Sequence, residues 1–134
     1  MKRGVSIFLC TIMALAGAAM AQSAPDAKWL GVWQGELDGQ PSAVLTLAND
    51  AGALGGTLVL NIIENKDGQA RIVAVEPHVL LNPRSDGDVM AFQCRKPNGG
   101  VLSFSVKLVA ANKATIHCLN CGPDAPTVEI VRAK

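Results

Sequence analysis

The run Leu102-Ser-Phe-Ser-Val-Lys-Leu108 constrains this chain more than any other segment. Leu102, Phe104, Val106 and Leu108 fall on one side of an extended backbone, and Ser103, Ser105 and Lys107 on the other. A period of two requires a strand with one buried face, because successive side chains of a strand point to opposite faces. The pattern recurs. Leu58, Leu60 and Ile62 alternate with polar Thr57 and Asn61. Met90, Phe92 and Cys94 share a face, as do Ala114, Ile116 and Cys118. Val128 and Ile130 flank Glu129 near the end. No comparable stretch after residue 30 repeats every 3.6 residues.

Turn residues separate these runs: Asp38-Gly39, Asn49 to Gly52, Gly55-Gly56, Asn65 to Gly68, Pro83 to Gly87, Pro97 to Gly100 and Ala111-Asn112. Gly, Asn and Asp tolerate the left-handed backbone that tight reversals need, and Pro presets φ. No gap is long enough for a crossover helix, so consecutive strands are expected to be antiparallel neighbours. About eight strands are predicted: 31–38, 42–48, 56–64, 70–76 with a continuation to 82 beyond Pro77, 88–95, 101–109, 113–119 and 126–132. Pro77 has no amide donor and is expected at a bend, bulge or edge. The fold class is therefore all-β, a small antiparallel up-and-down barrel, with a flattened sandwich as the other solution.

Residues 1–21 form a separate unit. Lys2 and Arg3 precede the apolar run Val5 to Ala16, and Ala19-Met-Ala21 follows. Basic start, apolar centre and A-x-A end are the plan of a secretory signal peptide, with cleavage expected after Ala21. The apolar run is short for a membrane span, and no later stretch is longer. Residues 22–30 are a flexible lead-in, and 31–134 form the barrel domain. The expected location is secreted or periplasmic. The whole chain carries 12 basic and 11 acidic side chains, scattered without runs of like charge. That balance excludes the electrostatic footprint of a nucleic-acid or anionic-membrane binder. A monomer is expected.

The first predicted strand opens Gly31-Val-Trp33-Gln-Gly35. Gly-x-Trp at this position resembles the signature of the lipocalins and the wider calycin barrels. The resemblance implies that Trp33 plugs one end of the barrel and that Arg132, on the last strand, packs over its ring. It implies a structural role for Gly31, Trp33 and Arg132. The chain is shorter than a typical lipocalin and shows no C-terminal helix. The residues alone are equally served by Trp33 as a core aromatic beside glycines that allow close packing.

Three cysteines lie beyond the leader: Cys94, Cys118 and Cys121. In an up-and-down order Cys94 and Cys118 end strands that run the same way, which gathers the thiols at one rim. A disulfide from Cys94 to Cys118 or Cys121 is the first expectation, with one thiol left free. A local Cys118–Cys121 bridge is the second. A redox C-x-x-C pair would need an activating helix that the sequence does not offer. A zinc site is opposed by His117 and Cys118, which are adjacent on a strand and point to opposite faces. Buried unpaired thiols are the remaining reading. No metal site, cofactor or catalytic residue is assigned. No nucleophile elbow, phosphate-cradling loop or H-E-x-x-H occurs, and His78 reads as an ordinary strand histidine.

Two function classes fit. One is a non-enzymatic barrel that holds a small apolar molecule. Large side chains at Leu37, Leu45, Leu47, Leu58, Leu60, Ile62, Phe92, Leu102, Phe104, Val106, Leu108, Ile116 and Ile130 would fill much of its interior. The other is a barrel that binds a protein partner through its surface, in the format of a periplasmic protease inhibitor with residues 22–30 as an arm. An internal cavity of several hundred Å³ separates the first from the second.

Overall fold

The computed structural model describes residues 27–134. The leader 1–21, and residues 22–26 of the lead-in, lie outside the described residues. A short 3-10 turn, Ala27–Trp29, leads into nine antiparallel strands: β1 Gly31–Leu37, β2 Gln40–Asp50, β3 Ala53–Lys66, β4 Gln69–Val79, β5 Leu81–Asp86, β6 Val89–Arg95, β7 Val101–Ala110, β8 Lys113–Cys118 and β9 Thr127–Arg132. They form one curled half-barrel sheet in the order β4-β3-β2-β1-β9-β8-β7-β6-β5. The first strand pairs with the last, with Trp33 opposite Arg132 and Gly35 opposite Ile130.

The two ends of this sheet are consecutive in the chain. β4 and β5 are one extended run broken at Leu80. Its first part pairs with β3 and its second part with β6. The break has a local cause. Asn82 adopts a positive φ of 50°, which Asn tolerates better than most residues, and the β5–β6 register slips between Leu81 and Arg84. Leu80 is buried at the break, and its amide donates to the Gly56 carbonyl at 3.1 Å. This split accounts for nine strands where about eight are expected. It also places Pro83-Arg-Ser-Asp86 in a strand and not in a turn. Pro77 and Pro83 both lie on the strands at the sheet's ends, where a missing donor costs no ladder bond. His78 spans the gap between the ends. It is buried, and its Nδ1 lies 3.1 Å from the Arg95 carbonyl at the end of β6.

The inward positions of the strands make the core. Trp29, Trp33, Phe92, Leu45, Leu58, Met90, Ile130 and Val106 are the largest fully buried side chains. Each such side chain contributes about 1.5–3 kcal/mol by leaving water. Phe92 and Phe104 stack across β6 and β7 with ring centroids 5.2 Å apart. Of the side chains expected inside, Ile62 departs most: it is 40% exposed. The ladder between β2 and β3 stops at the Ala43–Leu60 pair, whereas β3 and β4 continue to the Lys66–Gln69 pair. Residues 61–76 are thus a two-stranded ribbon that outruns its neighbour, so alternation alone no longer buries a residue there.

Trp29 and Trp33 close one end. The Trp33 indole Nε1 donates to the Trp29 carbonyl at 3.0 Å. The Arg132 guanidinium lies over the Trp33 ring, 4.3 Å from its centroid. The same guanidinium donates to the carbonyls of Leu30 and Lys28 and, through Nε, to Asn112 Oδ1 at 3.1 Å. Gly31 permits this approach. Its φ is +128°, and a Cβ there would stand 3.0 Å from Arg132 Nη1. Arg132→Ala removes the cation–π contact and leaves several carbonyls without a donor. With discount for the part of the guanidinium that faces water, a loss of about 2–4 kcal/mol is expected, measured by urea denaturation. Arg132→Lys is expected to recover less than half of it, since an ammonium cannot reproduce the planar fork.

Candidate functional site

The opposite end is left open. β6 ends there at Cys94–Arg95 and β8 at Cys118, and the ribbon of β3 and β4 overhangs it. A cleft of about 240 Å³ enters the half-barrel between these elements. Leu37 of β1, Ala43 of β2 and Leu60 with Ile62 of β3 form one wall. Phe104, Ile116 and Val128 form the floor and far side. The segment after β8 supplies the last wall through Cys121, Ala125 and Pro126. Among the described residues no ionisable side chain lines this cleft. Its two polar side chains, Ser42 and Asn61, are engaged with backbone: Ser42 Oγ donates to the Gly35 carbonyl at 3.2 Å, and Asn61 Nδ2 to the Pro41 carbonyl at 2.9 Å. Ser42 turns inward because the β1–β2 register slips between Gly35 and Glu36. Ser42 and Ala43 are consequently buried in succession, a departure from alternation typical of a bulge.

Cys118 and Cys121 are joined by a disulfide, with Cα atoms 5.5 Å apart. Cys94 is free and buried. The first expectation, a bridge from Cys94 to Cys118 or Cys121, is replaced by the local one, and strand spacing explains why Cys94 does not pair with Cys118. β6 and β8 flank β7 on opposite sides. Two inter-strand intervals separate Cys94 from Cys118 by roughly 10 Å, beyond the Cα distance a disulfide spans. The thiols do share one end of the sheet, Cys94 opposite Leu102 and Cys118 opposite Phe104 on the two edges of β7. A bridge closing so short a loop stabilises the whole chain by only about 2 kcal/mol in the chain-entropy account.

The segment between the bridged cysteines is held independently. The Asn120 carboxamide takes the place of a further strand residue beside β7. Its Oδ1 accepts from the Ser103 amide at 2.8 Å, and its Nδ2 donates to the Val101 carbonyl at 2.8 Å. The Leu119 amide adds a bond to the Ser103 carbonyl at 2.7 Å. Nothing in the spacing of residues 117–122 announces this clamp, which depends on where β7 ends. His117 points away from the cleft, as alternation requires. Its Nδ1 lies 3.3 Å from both the Pro126 carbonyl and Thr127 Oγ1. Among the described residues no group of three or more His, Cys, Asp or Glu side chains is gathered to hold a metal ion. Gly31, Trp33 and Arg132 are all at the closed end and take no part in the cleft.

Two of the other hollows lie on the wall. One, of about 260 Å³, includes Asn82, Arg84, Gln93 and Ser103. The other follows the gap between the sheet's ends beside Glu76, His78, Arg95 and Lys96. Both mix polar, charged and apolar side chains, whereas the cleft at the disulfide end is predominantly apolar, with its polar side chains Ser42 and Asn61 already hydrogen-bonded. Comparison of this chain with protein families, with curated proteins and with solved structures finds no match.

Burial pushes the Cys94 thiol up to about 11 from its ordinary 9.0. The native thiol therefore stays protonated and poorly nucleophilic at pH 8. In a chain that lacks residues 1–21 and therefore Cys10, a disulfide-exchange chromogen is expected to find no reactive thiol in the folded, non-reduced protein and one after unfolding. The same shift has a sign in stability. Between pH 9.0 and 11 the unfolded chain releases this proton and the folded chain keeps it. The contribution is complete below 9.0 and is lost as the pH rises toward 11. Cys94→Ala is expected to flatten that fall in alkaline denaturation curves.

Proposed function

We propose that this chain is an exported, non-enzymatic binding module that takes a small apolar molecule into the cleft at its disulfide end. The observation that carries the reading is the lining: apolar side chains from six strands converge there, and no charge among the described residues opposes them. An apolar cavity of about 150 Å³ accommodates benzene, so a cleft of about 240 Å³ that is open at its mouth suits a molecule of about two or three rings. Recognition would rest on shape and the hydrophobic effect, because the polar side chains nearby are already hydrogen-bonded. The Trp33–Arg132 stack at the closed end supports a lipocalin-like arrangement, with one plugged end and one receiving end. The disulfide supports an oxidising location, periplasmic or secreted.

A second reading has its own observation. The β3–β4 ribbon exposes Ile72, Val73 and Val75 beside the mouth, with exposures of 38%, 49% and 61%. In that reading a protein partner rests on the ribbon and inserts an apolar side chain into the cleft.

Titration with the uncharged fluorophore N-phenyl-1-naphthylamine tests the first reading. Saturable binding with emission enhancement is expected. Leu60→Asp, which places a carboxylate in the wall, is expected to weaken it at least tenfold, and so is Val128→Phe, which fills the space. Circular dichroism checks that both variants keep their strands. Unchanged affinity in both folded variants rejects the cleft as the site.

A further inference from the structure

We propose that the Cys118–Cys121 disulfide is a redox gate on the cleft: oxidised, it holds one wall in place, and reduced, it releases that wall and lowers affinity. This rests on the ligand reading above and adds its regulation.

The disulfide is itself part of the lining, and the wall beyond it consists of Cys121, Ala125 and Pro126. On the near side of the bond the chain is fixed without it. Cys118 belongs to β8, and Leu119 and Asn120 are bonded to Val101 and Ser103 of β7. On the far side the ties are few. Within the segment, the Ala125 amide donates to the Gly122 carbonyl at 3.3 Å. The next anchors are the His117 contacts to Pro126 and Thr127, where β9 begins. Gly122 adopts φ +101°, and the intervening Pro123-Asp124 makes no inter-strand pair. Residues 121–125 therefore hang between a clamp at Asn120 and the start of β9, with the disulfide as their link to the barrel floor.

The bond is also reachable. Cys118 is buried, whereas Cys121 is exposed at the rim. A dithiol reductant, small or protein-borne, is the co-reactant this step needs. Its thiolate attacks Cys121 Sγ, the S–S bond breaks, and Cys118 leaves as a thiolate that takes up a proton. The reductant's second thiol then attacks the mixed disulfide and releases Cys121. Two electrons pass to the protein, and the reductant departs as a disulfide. Once released, residues 121–125 regain backbone freedom that a bound ligand must remove again. The closed end and its tryptophans lie at the other end of the sheet and should not respond.

The test uses the full exported chain and the same naphthylamine probe, before and after treatment with a small dithiol, with tryptophan emission as the monitor of the fold. Expected is binding by the oxidised protein, a tenfold or greater loss on reduction, recovery on reoxidation, and unchanged tryptophan emission. Hydrogen exchange should rise at the amides of Cys121, Gly122, Asp124 and Ala125 and not at 101–103. Cys121→Ser should behave as the reduced protein whether or not dithiol is present. Equal affinity in both redox states overturns the gate and leaves the ligand reading intact. Loss of tryptophan signal on reduction overturns it too, since the bond is then a staple of the whole fold. Failure of the oxidised protein to bind overturns the ligand reading and the gate together.

Discussion

The meeting of the first and last strands governs this structure. Trp33 of β1 lies opposite Arg132 of β9, and that pairing joins two meanders that would otherwise be separate open sheets. β1 to β4 form one, and β5 to β9 the other. Gly35 makes the junction possible by having no side chain. A Cβ there would come within 2.8 Å of Ile130 Cγ2 and 2.9 Å of the Glu129 carbonyl. Arg132 then joins three things at once: the aromatic plug, the carbonyls of the incoming 3-10 turn, and the β7–β8 turn through Asn112. Its value lies in geometry as much as charge, since a planar donor fork is shared among acceptors from distant parts of the chain.

Closing one end so thoroughly leaves the other free to be incomplete. The core near Trp33 is filled by large side chains, and the packing thins toward the cysteine end, where strands stop at different heights. β2 begins at Gln40, β6 stops at Arg95 and β8 at Cys118, while β3 and β4 run on. The cleft is the space these unequal lengths leave. Its apolar character follows directly, because the inward positions near the rim carry mostly Leu, Ile, Val, Phe, Ala and disulfide-bonded Cys. Ile62 marks the transition: on a strand with a neighbour it would be core, and one step past that neighbour it is lip.

The strands themselves are legible in the amino-acid sequence because alternation and turn chemistry are local. Leu102 to Leu108 can be read without knowing what lies beside it, and so can the reversals at Asn65 to Gly68 and Pro97 to Gly100. What escapes is whatever depends on register between segments far apart. The break at Leu80 is one case: Asn82 supplies the local bend, but where the run divides is set by pairing with β3 on one side and β6 on the other. The bulge that turns Ser42 inward is another. The disulfide partner is a third. Thiols that share a rim in a strand diagram are still two intervals apart when an intervening strand separates them. Trp33 with Arg132 is the exception, a long-range pair indicated by resemblance and found in contact.

The local bridge changes how the rim must be understood. A disulfide from β6 to β8 would have crossed the mouth and tied the strands together, stiffening the barrel and obstructing entry. The bond that forms instead spans three positions of sequence and ties a loop to the strand it has just left. Such a bond adds little to global stability and much to the placement of the next few residues. Asn120 makes the division sharp: its carboxamide completes the β7 edge on one side of the bond, so the effect of the bond is confined to the other. The residues so placed are a wall of the cleft. A covalent link whose mechanical influence ends at the cleft wall, with its outer sulphur at the solvent boundary, is placed so that, in the gate we propose, the redox state of the surroundings acts on the shape of the cleft and on very little else.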